Sequence, residues 1–276
     1  MPLPTQRFSN RVENYVRYRP SYPHEVIELL RSECGLTLDS VVADIGSGTG
    51  KLTELILSHA KCVVAIEPNV EMREAGERLS QTYSNFFSLA ATAEATTLAG
   101  HSVDLIVAGQ AFHWFDRERT RAEFERILKP GRQIALIWNA LQTSSTPFLV
   151  AYEALLREFA PEYEHVNHRN VDLPKLREFF GCEPQCRSFP YHQHFDFASL
   201  RGRLLSSSYV PAECDPGCAA MLNQTRAIFD AHQQDGQVVF RYDTLVYFSR
   251  LACVGPPVML AGSPFSANKS DAVVTR

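Results

Sequence analysis

Apolar positions follow two alternating rhythms along the first half of the chain. Short, nearly continuous apolar runs occur at 41–45 (VVADI), 62–67 (CVVAIE), 86–90 (FFSLA), 103–109 (VDLIVAG) and 133–139 (QIALIWN). Runs this short and this rich in β-branched residues predict strands buried on both faces. Between the first two lies KLTELILSHA (51–60), with apolar residues at helical spacing. Between the fourth and fifth lies RERTRAEFERILKPG (117–131), where Phe124, Ile127 and Leu128 fall at i, i+3 and i+4. Strands alternating with amphipathic helices predict an α/β fold with a doubly wound, mostly parallel sheet, because crossovers between parallel strands are right-handed.

After residue 140 the rhythm changes. PFLVAYEALLREFAPEY (147–163) and DLPKLREFF (172–180) predict helices, CRSFPYHQHFDF (186–197) a strand, SLRGRLLSSSY (199–209) and a stretch near 216–234 further helices, and VVFRYDTLVYFSRL (238–251) a last strand. The two late strands bring the sheet to seven and complete its edge in hairpin-like fashion. The chain divides into an N-terminal helical lid (1–35), the α/β core (36–140), a helical cap inserted after the fifth strand and carrying the sixth (141–235), the final strand (236–252) and a Pro-, Gly- and Ser-rich tail (253–276) expected to be disordered.

Composition changes this picture little. With 276 residues, 45% of them apolar, the chain can bury a core without disulfide or metal staples. A net charge of −4 gives no electrostatic reason to expect nucleic acid or an anionic membrane as partner. Seven cysteines, an odd number, are read as reduced thiols, and no signal or spanning segment stands out, so the expectation is a soluble, cytoplasmic protein. The oligomeric state is not legible. Cys182 and Cys186, like Cys214 and Cys218, are spaced more widely than zinc knuckles, so no metal is expected. His192 and His194 share one strand face, expected to be solvated or to face substrate.

The chemistry centres on DIGSGTG (44–50). Gly46, Gly48 and Gly50 turn the first strand into a helix, and Glu67 ends the second strand where a carboxylate can accept both hydroxyls of a ribose. Loop and acid together ask for a nucleoside. A dinucleotide would need a third glycine where this chain has Lys51, and Asp44 would repel a pyrophosphate. The same carboxylate favours an ammonium or a sulfonium, so S-adenosylmethionine (SAM) suits the loop better than NAD.

DIGSGTG, Glu67, ATAEATTL (91–98), VDLIVAGQAFHWFD (103–116) and RILKPGRQIALIWN (126–139) together resemble the successive motifs of the class I SAM-dependent methyltransferases, nearest to their small-molecule, type 11-like branch. YRPSYP (18–23) and YDTLVYFSR (242–250) are similar more loosely. The resemblance implies a Rossmann-like methyltransferase fold with SAM as cofactor. Asp44, Gly46, Ser47, Gly48 and Gly50 would hold its methionine moiety and Glu67 its ribose. Pro68 and Asn69 would border the adenine, with Thr92, Ala93 and Glu94 flanking it. Gln110 to Trp114 would line the transfer site, with His113 and Trp114 as the candidate catalytic residues. Tyr15, Tyr18 and Arg19 would form a lid, with Tyr18 and Arg19 contacting the cofactor and Arg19 reaching its carboxylate.

The aromatic run AFHWF suits a sulfonium, which ring faces attract. A small organic acceptor is expected, a carboxylic acid among the candidates because it needs no base, and His113 is the candidate base for any other. The alternative is a non-catalytic module that binds SAM or a nucleoside. No Asn-Pro-Pro-Tyr-like run follows the fourth strand, which speaks against base amines as acceptors.

Overall fold

A computed structural model describes residues 11–163, 173–212 and 215–252; the expectation for the tail 253–276 and the position of Cys214 lie outside them. Seven strands form one sheet: β1 (Val41–Ile45), β2 (Cys62–Ile66), β3 (Phe86–Leu89), β4 (Val103–Gly109), β5 (Leu128–Leu141), β6 (Gln185–Phe195) and β7 (Val238–Ser249). Their order is β3-β2-β1-β4-β5-β7-β6. The first five run parallel, and β7 enters antiparallel between β5 and β6. The late pair forms an antiparallel ladder as expected, with two helices in its connection.

Alternate residues of the central strands serve two cores. Val42, Val63, Leu105, Val107, Ala135 and Ile137 face α2 (Glu25–Ser32) and α3 (Lys51–Leu57). Ala43, Ile45, Ile106, Ala108, Ile134 and Leu136 face α5 (Arg117–Ile127) and α7 (Leu173–Phe180). Burial on both sides is why these strands read as unbroken apolar runs. β5 starts at Leu128, earlier than its apolar run, and its pairing with β4 shifts register between Val103 and Leu105.

A third core lies over one end of the sheet. α6 (Pro147–Phe159), α8 (Phe197–Leu205) and α9 (Cys218–His232) pack on Phe195, Val238, Phe240 and Tyr242. α6 starts on the Thr146 side chain, which accepts from Leu149 N at 3.2 Å, with Pro147 in the first turn; Asp196 caps α8 through Ser199 N at 2.8 Å. No helix among the described residues is long and apolar enough to cross a membrane.

The expected lid of residues 1–35 divides. In α2, Val26, Ile27, Leu29 and Leu30 are buried in the sheet core, because its apolar face has no other partner. Among the described residues of this stretch, α1 (Val12–Tyr18) and its flanks bridge sheet and cap. The Arg11 guanidinium donates to the carbonyls of Leu205, Ser207 and Val210 at the end of α8. Arg19 donates to Ser206 Oγ at 3.0 Å and Ser207 Oγ at 3.1 Å. On the other side, Lys51 Nζ donates to Val16 O at 2.8 Å. The Tyr18 ring lies on Gly202 of α8, so close that a Cβ there would stand 2.0 Å from Tyr18 Cε2.

Candidate active site

The strand order reverses between β1 and β4, and a cavity of about 520 Å³ opens beyond their carboxyl ends, with α1 and the cap forming its other walls. That is where ligands bind in open α/β sheets, and the volume suits a small molecule.

The glycine loop forms its floor. Gly46 N and Ser47 N both donate to Ile66 O, at 2.8 and 3.1 Å, which pins the loop to the end of β2. Gly46 has φ +68°, and a Cβ would come within 2.6 Å of Ala111 Cβ, so no side chain fits. Asp44 is buried; its Oδ2 accepts from Thr53 Oγ1 at 2.5 Å, while Oδ1 has no partner. Burial pushes this carboxyl up to about 7, with the nearby Glu67 adding to the rise. Thr49 Oγ1 is a second buried atom of this wall without a partner.

Glu67 Oε2 accepts from Gly48 N at 2.9 Å and Oε1 from Asn69 N at 2.8 Å. Burial raises its pKa, opposed by these two bonds. Asn69 caps α4 (Val70–Glu77), its Oδ1 accepting from Met72 N at 2.8 Å. Thr92, Ala93 and Glu94 line the cavity beside Pro68 and Asn69. Their segment is anchored from behind: Glu123 Oε1 accepts from Thr96 N at 2.8 Å, and Glu94 Oε1 accepts from Asp116 N at 3.0 Å. The Arg126 guanidinium and the Thr96 bonds hold the Glu123 carboxyl down to about 2.

Gln110, directly after β4, takes φ +58°, an uncommon conformation for a side-chain-bearing residue. Its N donates to Ile137 O at 2.9 Å and its Nε2 to Asn139 O at 3.3 Å. A single 3-10 turn, 112–114, follows. His113 and Trp114 face the cavity with ring centroids 4.8 Å apart. Phe112 does not: it is buried edge-on against Phe179 at 4.6 Å, and the short turn sends it into the sheet core. Phe115 takes the wall position behind Gly46.

Two further expected ligands lie off the cavity wall. Tyr18 is held in the α1–α8 contact, and Gly50 (φ +83°) faces Leu79, whose Cδ1 would lie 2.6 Å from a Cβ there. Arg19 and Tyr15 line the cavity, the guanidinium 5.3 Å over the ring.

The cap end of the cavity carries no motif in the sequence. Asn139, Tyr152, Tyr163, Arg203, Tyr209 and Tyr242 complete the wall. Arg203 carried a signal: in SLRGRLL it stands among Leu200 and Leu204 on the buried face of α8, where an arginine is out of place. Asn139 is tied by Nδ2 to Ser21 O at 2.9 Å and accepts from Thr244 Oγ1 at 2.7 Å. His192 and His194 are exposed on edge strand β6, Cys186 is exposed, and Cys182 contacts Ser249 Oγ at 3.2 Å. Among the described residues, no cluster of three metal-ligating side chains is found.

Sheet order, glycine loop and strand-end acid define the Rossmann-like fold of the class I SAM-dependent methyltransferases. Residues 43–136 match the family model described as a methyltransferase domain. The chain is 35% identical over 152 residues to an uncharacterized methyltransferase of Schizosaccharomyces pombe, spanning 55% of this chain and 59% of that protein. It is 28% identical over 249 residues to a methyltransferase-like protein of the same yeast, spanning 88% of this chain and 94% of the relative. A structure provisionally assigned as a type II methyltransferase of Anaeromyxobacter dehalogenans superposes with TM-score 0.65 at 22% identity, over 85% of this chain and 98% of its own, a likeness of fold.

The cofactor of this class is SAM, and the residues fit it. A buried carboxylate with one oxygen free, a backbone turn that excludes any side chain, and an acid at the next strand end suit a cation joined to a ribose.

Proposed function

We propose that the protein transfers a methyl group from SAM to a small organic acceptor held between the Gln110–Trp114 turn and the cap. The observation that carries this reading is the unpartnered Asp44 Oδ1 facing a cavity whose opposite wall is built by other residues, leaving room for a second reactant. Asp44 and the Gly46–Gly48 turn would take the amino end of the cofactor, Glu67 the ribose, and Pro68, Asn69 and Thr92–Glu94 the adenine. Bound there, SAM would supply an activated methyl carbon for an acceptor lone pair, the S–C bonding electrons staying with sulfur.

The chain's own part is alignment and exclusion of water. Well-oriented reactants gain roughly 7–11 kcal/mol in such a displacement. The strained Gln110 and the short turn after it fix where Trp114 and His113 stand. α1 closes the mouth through Lys51 on one side and Arg19 on the other. Arg19, at this seam, would take the cofactor carboxylate. A carboxylate oxygen as acceptor needs no base; a phenol or amine would use His113.

Calorimetry with SAM, S-adenosylhomocysteine (SAH) and NAD tests the cofactor, and a labelled-methyl screen tests the transfer. SAM binding that is lost in Glu67→Ala and Gly48→Val supports the reading. Binding of NAD without SAM overturns it, and SAM binding with no acceptor found reduces the protein to a binding module.

A further inference from the structure

The cap end of the cavity holds a positive charge that the protein does not neutralise. Arg203 is only 6% exposed, yet its Nε has no hydrogen-bond partner. Its Nη1 reaches Ser207 Oγ at 3.4 Å, and the guanidinium lies 5.7 Å over the Phe240 ring. The groups that face it are phenols, those of Tyr152, Tyr209 and Tyr242, the last hydrogen-bonded to the guanidinium, with the half-buried Arg19 beyond them as a second cation. No carboxylate stands among these neighbours. The acids of the cavity wall, Asp44, Glu67 and Glu94, all belong to the glycine-loop side. The Tyr152 hydroxyl, also buried, is a second polar atom there without a partner.

Burying an arginine with an unsatisfied N–H is unfavourable unless a ligand completes it. A guanidinium edge matches a planar carboxylate, and a phenol hydroxyl beside it can donate to the same anion. Arg203 is also separate from the glycine loop, on the cap helix rather than on the nucleoside-binding strands.

From this we infer that the acceptor is a small carboxylic acid with two functional groups: one carboxylate is gripped by Arg203 with Tyr152, and a second nucleophilic group receives the methyl. This rests on the methyl-transfer reading above. Arg203 is then the residue that selects and orients the acceptor. A carboxylate paired to a guanidinium is a poor nucleophile, so the anchored group is not the one methylated.

The test uses the full chain with labelled SAM. The acceptors are succinate, glutarate, adipate and 4-hydroxybenzoate, each beside its methyl ester, with glycerol phosphate as a different anion. Binding of each to the SAH complex is measured by calorimetry alongside turnover. The expected result is that acids bind and are methylated while esters blocked at every carboxylate are not. Arg203→Gln should raise the acceptor KM by at least about tenfold, the effect of one charged hydrogen bond, with SAH affinity within about twofold of wild type. Arg203→Lys should recover only part of the loss, because it keeps charge but not the fork.

Equal use of acids and esters overturns the inference, as does preference for the phosphate or failure of every acid to bind the SAH complex. A loss of SAH affinity in Arg203→Gln also overturns it, by assigning the residue to the cofactor. If Arg203→Gln does not fold, the wild-type comparison of acid with ester decides. A wild-type protein that binds no SAH defeats the methyl-transfer reading itself, a result distinct from all of these.

Discussion

Replacing Glu67 by glutamine removes one charge and one acceptor oxygen while keeping the shape. In the structure the two carboxylate oxygens already accept from Gly48 N and Asn69 N, at 2.9 and 2.8 Å. A carboxylate has about four lone-pair sites, so two remain for the ribose hydroxyls. Glutamine has a single oxygen, and whichever way its amide turns, the NH2 meets a backbone N–H head-on. The variant therefore loses one backbone bond and leaves one donor unsatisfied, at about 1–3 kcal/mol of folding stability. It also loses one charge-assisted bond to the ribose, about 1.5–3 kcal/mol, or roughly a ten- to 150-fold rise in the Kd for SAH. Thermal unfolding of the apo protein measures the first loss and calorimetry with SAH the second. Glu67→Ala should weaken SAH at least as much. If Glu67→Gln binds SAH within about twofold of wild type while its Tm falls, the acid serves only to tie the loop, and the ribose assignment is wrong.

Cofactor affinity should depend on pH through Asp44. Its folded pKa is raised to about 7, so below that pH the carboxyl is neutral and must ionise to pair with a cation. SAH affinity should then strengthen as pH rises through about 7 and level off above it, and Asp44→Asn should flatten the profile; an unchanged wild-type slope in that variant would refute the assignment. Glu123 behaves oppositely: its folded pKa is lowered from 4.5 to about 2, so its contribution to stability is complete above about 4.5 and is lost as pH falls towards 2. Acid-unfolding curves of wild type and Glu123→Gln should therefore diverge at neutral pH and converge at the acid end, and parallel curves would count against the Thr96 clamp. Gly202→Ala sets helix propensity, which favours alanine by about 1 kcal/mol, against a contact of 2.0 Å with Tyr18. The clash should win, lowering stability by about 1–3 kcal/mol, and Tyr18→Ala in the same chain should reverse the sign. A Tm that rises in the single variant would show that α1 does not bear on α8.

The two-sided burial of β1, β2, β4 and β5 wrote itself into the sequence as continuous apolar runs, and the glycine loop with its strand-end acid marked the side of the cavity that they line. The cap side left weaker marks. Tyr152, Tyr209, Arg203 and Tyr242 come from three separate stretches of chain, and no spacing rule joins residues that meet only when α6, α8 and β7 pack. Aromatic residues on amphipathic helices read as core, which most of them also are. Phe112 shows the converse: an aromatic in a functional motif was read as wall, yet the turn directed it into the core. Tyr18 lies on α8 rather than on the cavity wall because Gly202, unremarkable as sequence, leaves room there for its ring.

The position of β7 has a consequence for how the molecule is made. β5 acquires its second neighbour only from residues 238–249, after the whole cap has been synthesised. Until then the growing chain carries an open, apolar strand edge, and the pairing that closes it spans about a hundred residues of sequence. Long-range closures of this kind are slow and leave intermediates prone to stick edge to edge. The final strand therefore acts as a latch on folding: truncations that remove it should yield aggregates rather than a smaller soluble sheet. Refolding should show its slow phase where Tyr242 enters the cap and Phe248 the sheet, since one strand completes both cores at once.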